Sequence, residues 1–178
     1  MVWLGVLILF LVQVSEHNPA PAVPEDSGIY YRQNDTNWIR LQPAAVSNAN
    51  TKGMEFFVFS GGYTDMAMNI TCPGPRASVR ITLQKPTLYV RGIGLAKDAM
   101  LVRLKKKKDS RELKTAFSKV TVENKGGFNK RDIYKLTATE YPDGFFSVSP
   151  EKALPAGEYL LVFGNASTAY DFGIDKSK

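Results

Sequence analysis

Four consecutive lysines, Lys105 to Lys108, with Arg103 and Arg111 close on either side, are the densest cluster of functional groups in this chain. Ammonium and guanidinium groups gathered in one place attract anions. The chemistry on offer is contact with an acidic glycan, a phosphate-rich polymer or a membrane surface. The flanks alternate, with Met100, Val102 and Leu104 before the run and Leu113, Thr115 and Phe117 after it. That pattern predicts a β-hairpin turning near Lys108-Asp109-Ser110, with the charges at its tip. The same residues also read as a solvated tip whose lysines prevent edge-to-edge pairing. Nucleic acid is not the expected partner, because its binders interleave aromatics or glycines with the basic residues and this run has neither.

Familiar catalytic machinery has little to work with. The chain holds one histidine, His17, and one cysteine, Cys72. Nucleophilic triads need an imidazole base, and most zinc or iron sites need imidazoles or several thiolates. No metal or cofactor is therefore expected. Carboxylates are the remaining route to catalysis, since a glycosidase needs only two of them. Asp171 and Asp175 near the C-terminus, and Asp143 and Glu151 in predicted turns, are the candidates, although no spacing marks a pair. Ser149-Pro150-Glu151-Lys152 matches S-x-x-K by pattern only, without the K-T-G partner motif of penicillin-binding enzymes. Gly92-Ile93-Gly94 reads as a strand end, and Asn34-Asp35-Thr36-Asn37 as a polar turn rather than a calcium loop. Tyr30, Tyr31 and Trp38 suit stacking on a sugar or a protein partner if exposed; the reading favours a place in the core.

The first residues bear on compartment. Val2 to Val14 is an apolar run too short for a membrane-spanning helix and of the length of a signal-peptide core. Ala20-Pro21-Ala22 supplies an A-x-A pattern, so residues 1–22 are expected to be a signal peptide and 23–27 a Pro-rich linker. Residues 1–22 hold one acidic side chain, Glu16, and no Lys or Arg. The remainder thus carries 23 basic against 17 − 1 = 16 acidic groups, a net charge of +7.

Residues 28–178 must position these groups. Short alternating runs separated by turn residues recur throughout, and no sustained helical period is visible. Trp38 and Arg40 fall on one face of a strand, with Ile39 and Leu41 on the other. Ser78 to Leu83 predicts Val79, Ile81 and Leu83 inward and Arg80 outward. Glu55 to Ser60, Lys119 to Glu123 and Asp132 to Glu140 read as further strands, and Pro142-Asp143-Gly144 as a turn. Glu158 to Phe163 is apolar on both faces and predicts a central, doubly covered strand. The expected fold is a single-domain antiparallel β-sandwich of immunoglobulin-like type, with a closed β-barrel as the alternative.

Several short motifs together resemble a group of secreted bacterial proteins of acidobacterial type. They are Gly28-Ile29-Tyr30-Tyr31 with Trp38 and Leu41, Leu101 to Leu104 leading into Lys107 to Glu112, Leu154 to Tyr159, and Tyr170 to Asp175. The resemblance implies an exported β-sandwich with no assigned activity and carries no catalytic residue onto this chain. The functional expectation is an exported, non-catalytic binding or structural protein of the bacterial envelope or extracellular space. Its candidate contact residues are Arg103, Lys105, Lys106, Lys107, Lys108 and Arg111. The alternatives are an accessory subunit of a secreted protein assembly and a carboxylate-dependent glycan hydrolase.

Overall fold

Strands with alternating apolar and polar residues, packed in two layers, organise this molecule. The computed structural model describes residues 21–52, 66–117, 131–163 and 169–176. The strands expected at 55–60 and 119–123 lie outside the described residues. Among those described there are thirteen strands and one short 3-10 turn, Ala96–Asp98, with no α-helix.

A five-stranded sheet runs in the order β10 (Leu136–Tyr141), β11 (Phe145–Pro150), β6 (Leu88–Arg91), β1 (Gly28–Arg32), β2 (Trp38–Leu41). All its pairings are antiparallel. The β1–β2 hairpin has the expected alternation, with Tyr31 opposite Ile39 and Arg32 opposite Trp38. The β10–β11 turn is closed by Gly144, whose φ of 73° lies where a side chain is disfavoured.

The larger sheet runs β3 (Ser47–Lys52), β4 (Met66–Pro73), β8 (Ser110–Phe117), β7 (Met100–Lys106), β12 (Gly157–Val162), β13 (Ala169–Ile174), β5 (Arg80–Ile81). A two-residue strand, β9 (Ile133–Tyr134), also pairs with β7. The β5–β13 pairing is parallel, over two residue pairs, so the fold is not wholly antiparallel as expected.

The two sheets pack through Ile29, Tyr31, Leu41, Leu88, Val90, Phe146 and Val148 on one side and Leu101, Tyr159, Leu161, Tyr170, Phe172 and Ile174 on the other. Burying each such side chain stabilises the fold by about 1.5–3 kcal/mol. The opposite face of the larger sheet is covered as well. Val102, Leu104, Leu160, Val162 and Ala169 pack with Cys72 of β4 and Leu113 of β8 in a second cluster. β12 therefore is the doubly covered central strand that its sequence predicts.

The second cluster exists because the larger sheet curls. β8 and β13 are separated by β7 and β12 in strand order, yet Arg111 of β8 bonds Asp171 of β13. The segment entering β3 touches the outer edge of β13 through the Pro43–Tyr170 bridge and Ala44 N donating to Ala169 O at 2.7 Å. This is an isolated contact rather than a ladder. The fold is a β-sandwich and not the closed barrel held as the alternative.

Three local expectations need correction. The run Asp132 to Glu140 is not one strand: it breaks at Lys135, and β9 joins the larger sheet while β10 joins the smaller. Leu83 points to solvent at 55% exposure, because the inward strand ends at Ile81. Val23, placed in a linker, is buried against Tyr30 and Phe145.

Candidate functional site

The β7–β8 hairpin forms as its alternation dictates. Lys105 pairs with Glu112 and Lys106 with Arg111, and Lys107 N donates to Ser110 O at 2.8 Å to close the turn. Lys105 to Asp109 are all exposed. Lys107 Nζ lies 3.8 Å from Glu112, whereas Lys105, Lys106 and Lys108 form no ion pair with another described residue. Asp109 O accepts from Gly74 N at 3.0 Å, which ties the tip to the loop leaving β4.

The two arginines assigned to this tip do not belong to its surface. Arg111 is 4% exposed. Its guanidinium donates to Asp171, to Gly74 O at 3.0 Å and to Pro73 O at 2.8 Å. A buried guanidinium with all three nitrogens hydrogen-bonded holds the hairpin on the sheet and is out of reach of a ligand at the tip. It lies inward because residue 111 shares the face of Leu113, which covers the second cluster. Arg103 is half-buried across Gly157 and donates to Ala156 O at 3.0 Å. The exposed basic group is thus Lys105 to Lys108.

Two of the four carboxylate candidates are also engaged. Asp171 is held by Arg111, and Asp175 by Arg80 and Arg76 at 2.7 and 2.8 Å. The hydrogen bond from Arg80 holds the Asp175 carboxyl below its usual range, with Arg76 adding to the effect. An acid held ionised in this way is unsuited to donate a proton to a leaving group. Glu158, which sequence reading passed over, is 5% exposed and takes Arg80 Nη1 on one oxygen and Ala77 N on the other, at 2.7 and 2.8 Å. Asp143 and Glu151 are exposed in turns. Among the described residues no three His, Cys, Asp or Glu converge on a metal position. Cys72 is fully buried, and burial pushes its thiol pKa up. Asn34 Oδ1 accepts from Thr36 N and Asn37 N, the polar turn its sequence predicts.

The structure separates the three aromatics of the first hairpin. Tyr31 enters the core between the sheets, while Tyr30 and Trp38 lie on the outer face of the five-stranded sheet. There they meet Tyr89, Phe145 and Tyr141. Trp38 and Tyr89 contact edge to face at 5.2 Å, and Tyr141 and Phe145 stack at 4.5 Å. Arginines alternate with the rings. Arg40 sits opposite Tyr30, Arg32 opposite Trp38 and Arg91 opposite Phe145. The guanidinium of Arg32 lies 5.7 Å from the Trp38 ring centre, and that of Arg91 lies 5.0 Å from Phe145. Sequence reading named Tyr30 and Trp38 as stacking candidates but missed the surface they share with Tyr89, Tyr141, Phe145 and the arginines, though a signal exists. Tyr30-x-Arg32, Trp38-x-Arg40 and Tyr89-x-Arg91 repeat one aromatic-x-Arg spacing on three adjacent strands.

Comparison with known proteins returns no relative: no family model matches this chain, no curated protein matches it, and no solved structure matches it.

Proposed function

We propose that this chain is an exported, non-catalytic binding or structural protein of the bacterial envelope or extracellular space. In this reading the β7–β8 tip contacts an anionic polymer or membrane surface. The observation that carries it is the set of exposed lysines at Lys105, Lys106 and Lys108 that no described acidic group neutralises. Each lysine near an anionic surface contributes about 1 kcal/mol at physiological salt. The tip is held from beneath by Arg111 and by the Asp109–Gly74 hydrogen bond, so the charges are presented on a fixed support. The net positive charge favours the same class of partner.

The test is retention of the purified protein on immobilised heparin across a salt gradient, beside a variant with Lys105 to Lys108 all changed to Ser. Retention that the variant loses supports the tip as a contact site. Equal, weak retention of both proteins reduces the lysines to a solubility and edge-protection device.

A second reading, an accessory subunit joined to a protein partner through a sheet edge, draws on β10. Among the described residues this strand pairs with β11 alone, and Thr137 to Glu140 are exposed. A strand added there would continue the ladder. A stable complex indifferent to salt would favour this reading over the first.

A further inference from the structure

In a sandwich, the outer face of each sheet meets water, and its outward positions are ordinarily polar. The outer face of the five-stranded sheet departs from this. Beside Ser147 and Thr139, its outward positions hold Tyr30, Trp38, Tyr89, Phe145 and Tyr141; among the described residues the segment at Val23 packs against this cluster, in which Tyr30 and Phe145 are buried. Trp38, Tyr89 and Tyr141 remain half-buried rather than covered. The rings are surplus to the core between the sheets, which is complete without them.

We propose that this face is a second binding surface and that its ligand is an acidic saccharide, a chain of pyranose rings bearing carboxylates. The arginines supply the first argument. Each is immobilised by one terminal nitrogen: Arg32 Nη2 on Asp35, Arg40 Nη2 on Ser27 O at 2.7 Å, and Arg91 Nη1 on Asp143 O at 2.8 Å. The other terminal nitrogen of each makes no hydrogen bond with a described residue. These free nitrogens are not among the sealed-off polar atoms. Three positioned guanidinium groups with an open donor apiece match planar carboxylates. Among the described residues Asp35, at the margin, is the one acid paired with them.

Register supplies the second argument. Arg91 lies at the level of Gly28, the Arg40 guanidinium folds back over Gly28 to the same level, and Arg32 lies further along β1, opposite Trp38. Gly28 and Arg32 are four residues apart, about 13 Å along the strand. A row of cations suits a polymer with charges at intervals better than a single anion. The rings supply the third. They lean on one another and two are capped by guanidinium groups, which makes a continuous apolar floor. Nucleobases need free, separated ring faces to stack on; a flat sugar chain needs only the floor and the donors above it.

The experiment is calorimetric titration of the purified protein with an oligogalacturonate. A neutral maltooligosaccharide, a dextran sulfate oligosaccharide and oligo-dT of matched length serve as competitors. Variants are Arg32→Gln and Arg40→Gln, which remove donors at the surface without touching the core, and Trp38→Phe, which keeps the fold if the larger ring serves the ligand. The quadruple Lys-to-Ser tip variant separates this site from the hairpin. The expected result is binding of oligogalacturonate over the neutral chain, about tenfold weaker in each arginine variant, which is the effect of one charge-assisted hydrogen bond. The tip variant should bind as the parent does. The assignment is overturned by no binding of oligogalacturonate, by equal binding of the neutral chain, or by preference for dextran sulfate or oligo-dT. It is equally overturned if the tip variant alone loses affinity.

Discussion

Arg80 occupies the space that a side chain on Gly173 would fill. A Cβ placed on Gly173 would lie 1.5 Å from Arg80 Nη1. The absence of that carbon lets the guanidinium cross β13 and reach Glu158 on β12, with Asp175 on its other nitrogen. Gly173→Ala should therefore cost about 3 kcal/mol, the sum of overpacking and a disturbed, nearly buried ion pair. Urea denaturation measures it. A midpoint unchanged from the parent would mean that Arg80 finds another path at no cost.

The Arg111–Asp171 pair is more deeply placed. Removing one partner leaves the other charge buried, so Asp171→Asn and Arg111→Met should each destabilise by about 3–5 kcal/mol. Arg111 also serves Gly74 O and Pro73 O, which makes its loss the costlier of the two. The double variant Arg111→Met with Asp171→Leu should cost less than the sum of the singles, by about 1 kcal/mol or more. Additive losses would show the two residues to be energetically independent.

Asp175 gives the fold an acid-side dependence. Its carboxyl titrates below the usual value because Arg80 hydrogen-bonds the charged form. A group depressed in the folded state contributes stability that is present above the unfolded pKa and lost as pH falls through the folded one. Melting temperatures of the parent and Asp175→Asn should differ near neutrality and converge as pH falls below about 4. A constant difference across that range would assign the effect to packing.

Cys72 should be unreactive while the protein is folded. It has no exposed surface and its thiolate is disfavoured by burial. Reaction with a thiol reagent should proceed only as fast as the ribbon of β4 and β8 opens, and should become rapid in urea. Prompt labelling under native conditions would contradict the packing of the second cluster.

How much of this was legible beforehand follows from what each residue meets. The tip was readable because its turn and its lysines depend on neighbours in sequence. Arg111 was not, since its partner Asp171 is brought close only by the curl of the sheet. Leu83 was misplaced for a related reason: β5 is two residues long, with Ile81 inward and Arg80 on the opposite face, and its alternation does not extend to Leu83. The single strand read from Asp132 to Glu140 conceals a crossing, because alternation says which residues face inward and not which sheet receives them. Glu158 passed unnoticed in an otherwise apolar run, where a charge signals a buried partner. The outer aromatic face was readable as a repeated spacing, but Tyr30 and Tyr31 were treated as one cluster although successive residues point to opposite faces.

One edge of β7 is divided between two neighbours. β9 takes Leu101 and Val102, Asp132 O accepts from Arg103 N at 2.8 Å, and β8 begins only at Lys105. The hairpin therefore cannot zip beyond its first two rungs, because the next donor is already engaged. β8 must leave its own hairpin partner and continue with β4. A strand of two residues thus acts as a stop: it sets how far the lysines project and forces the ribbon over the sheet. Inserting or deleting a residue around Asp132 would shift both at once, leaving the turn itself intact.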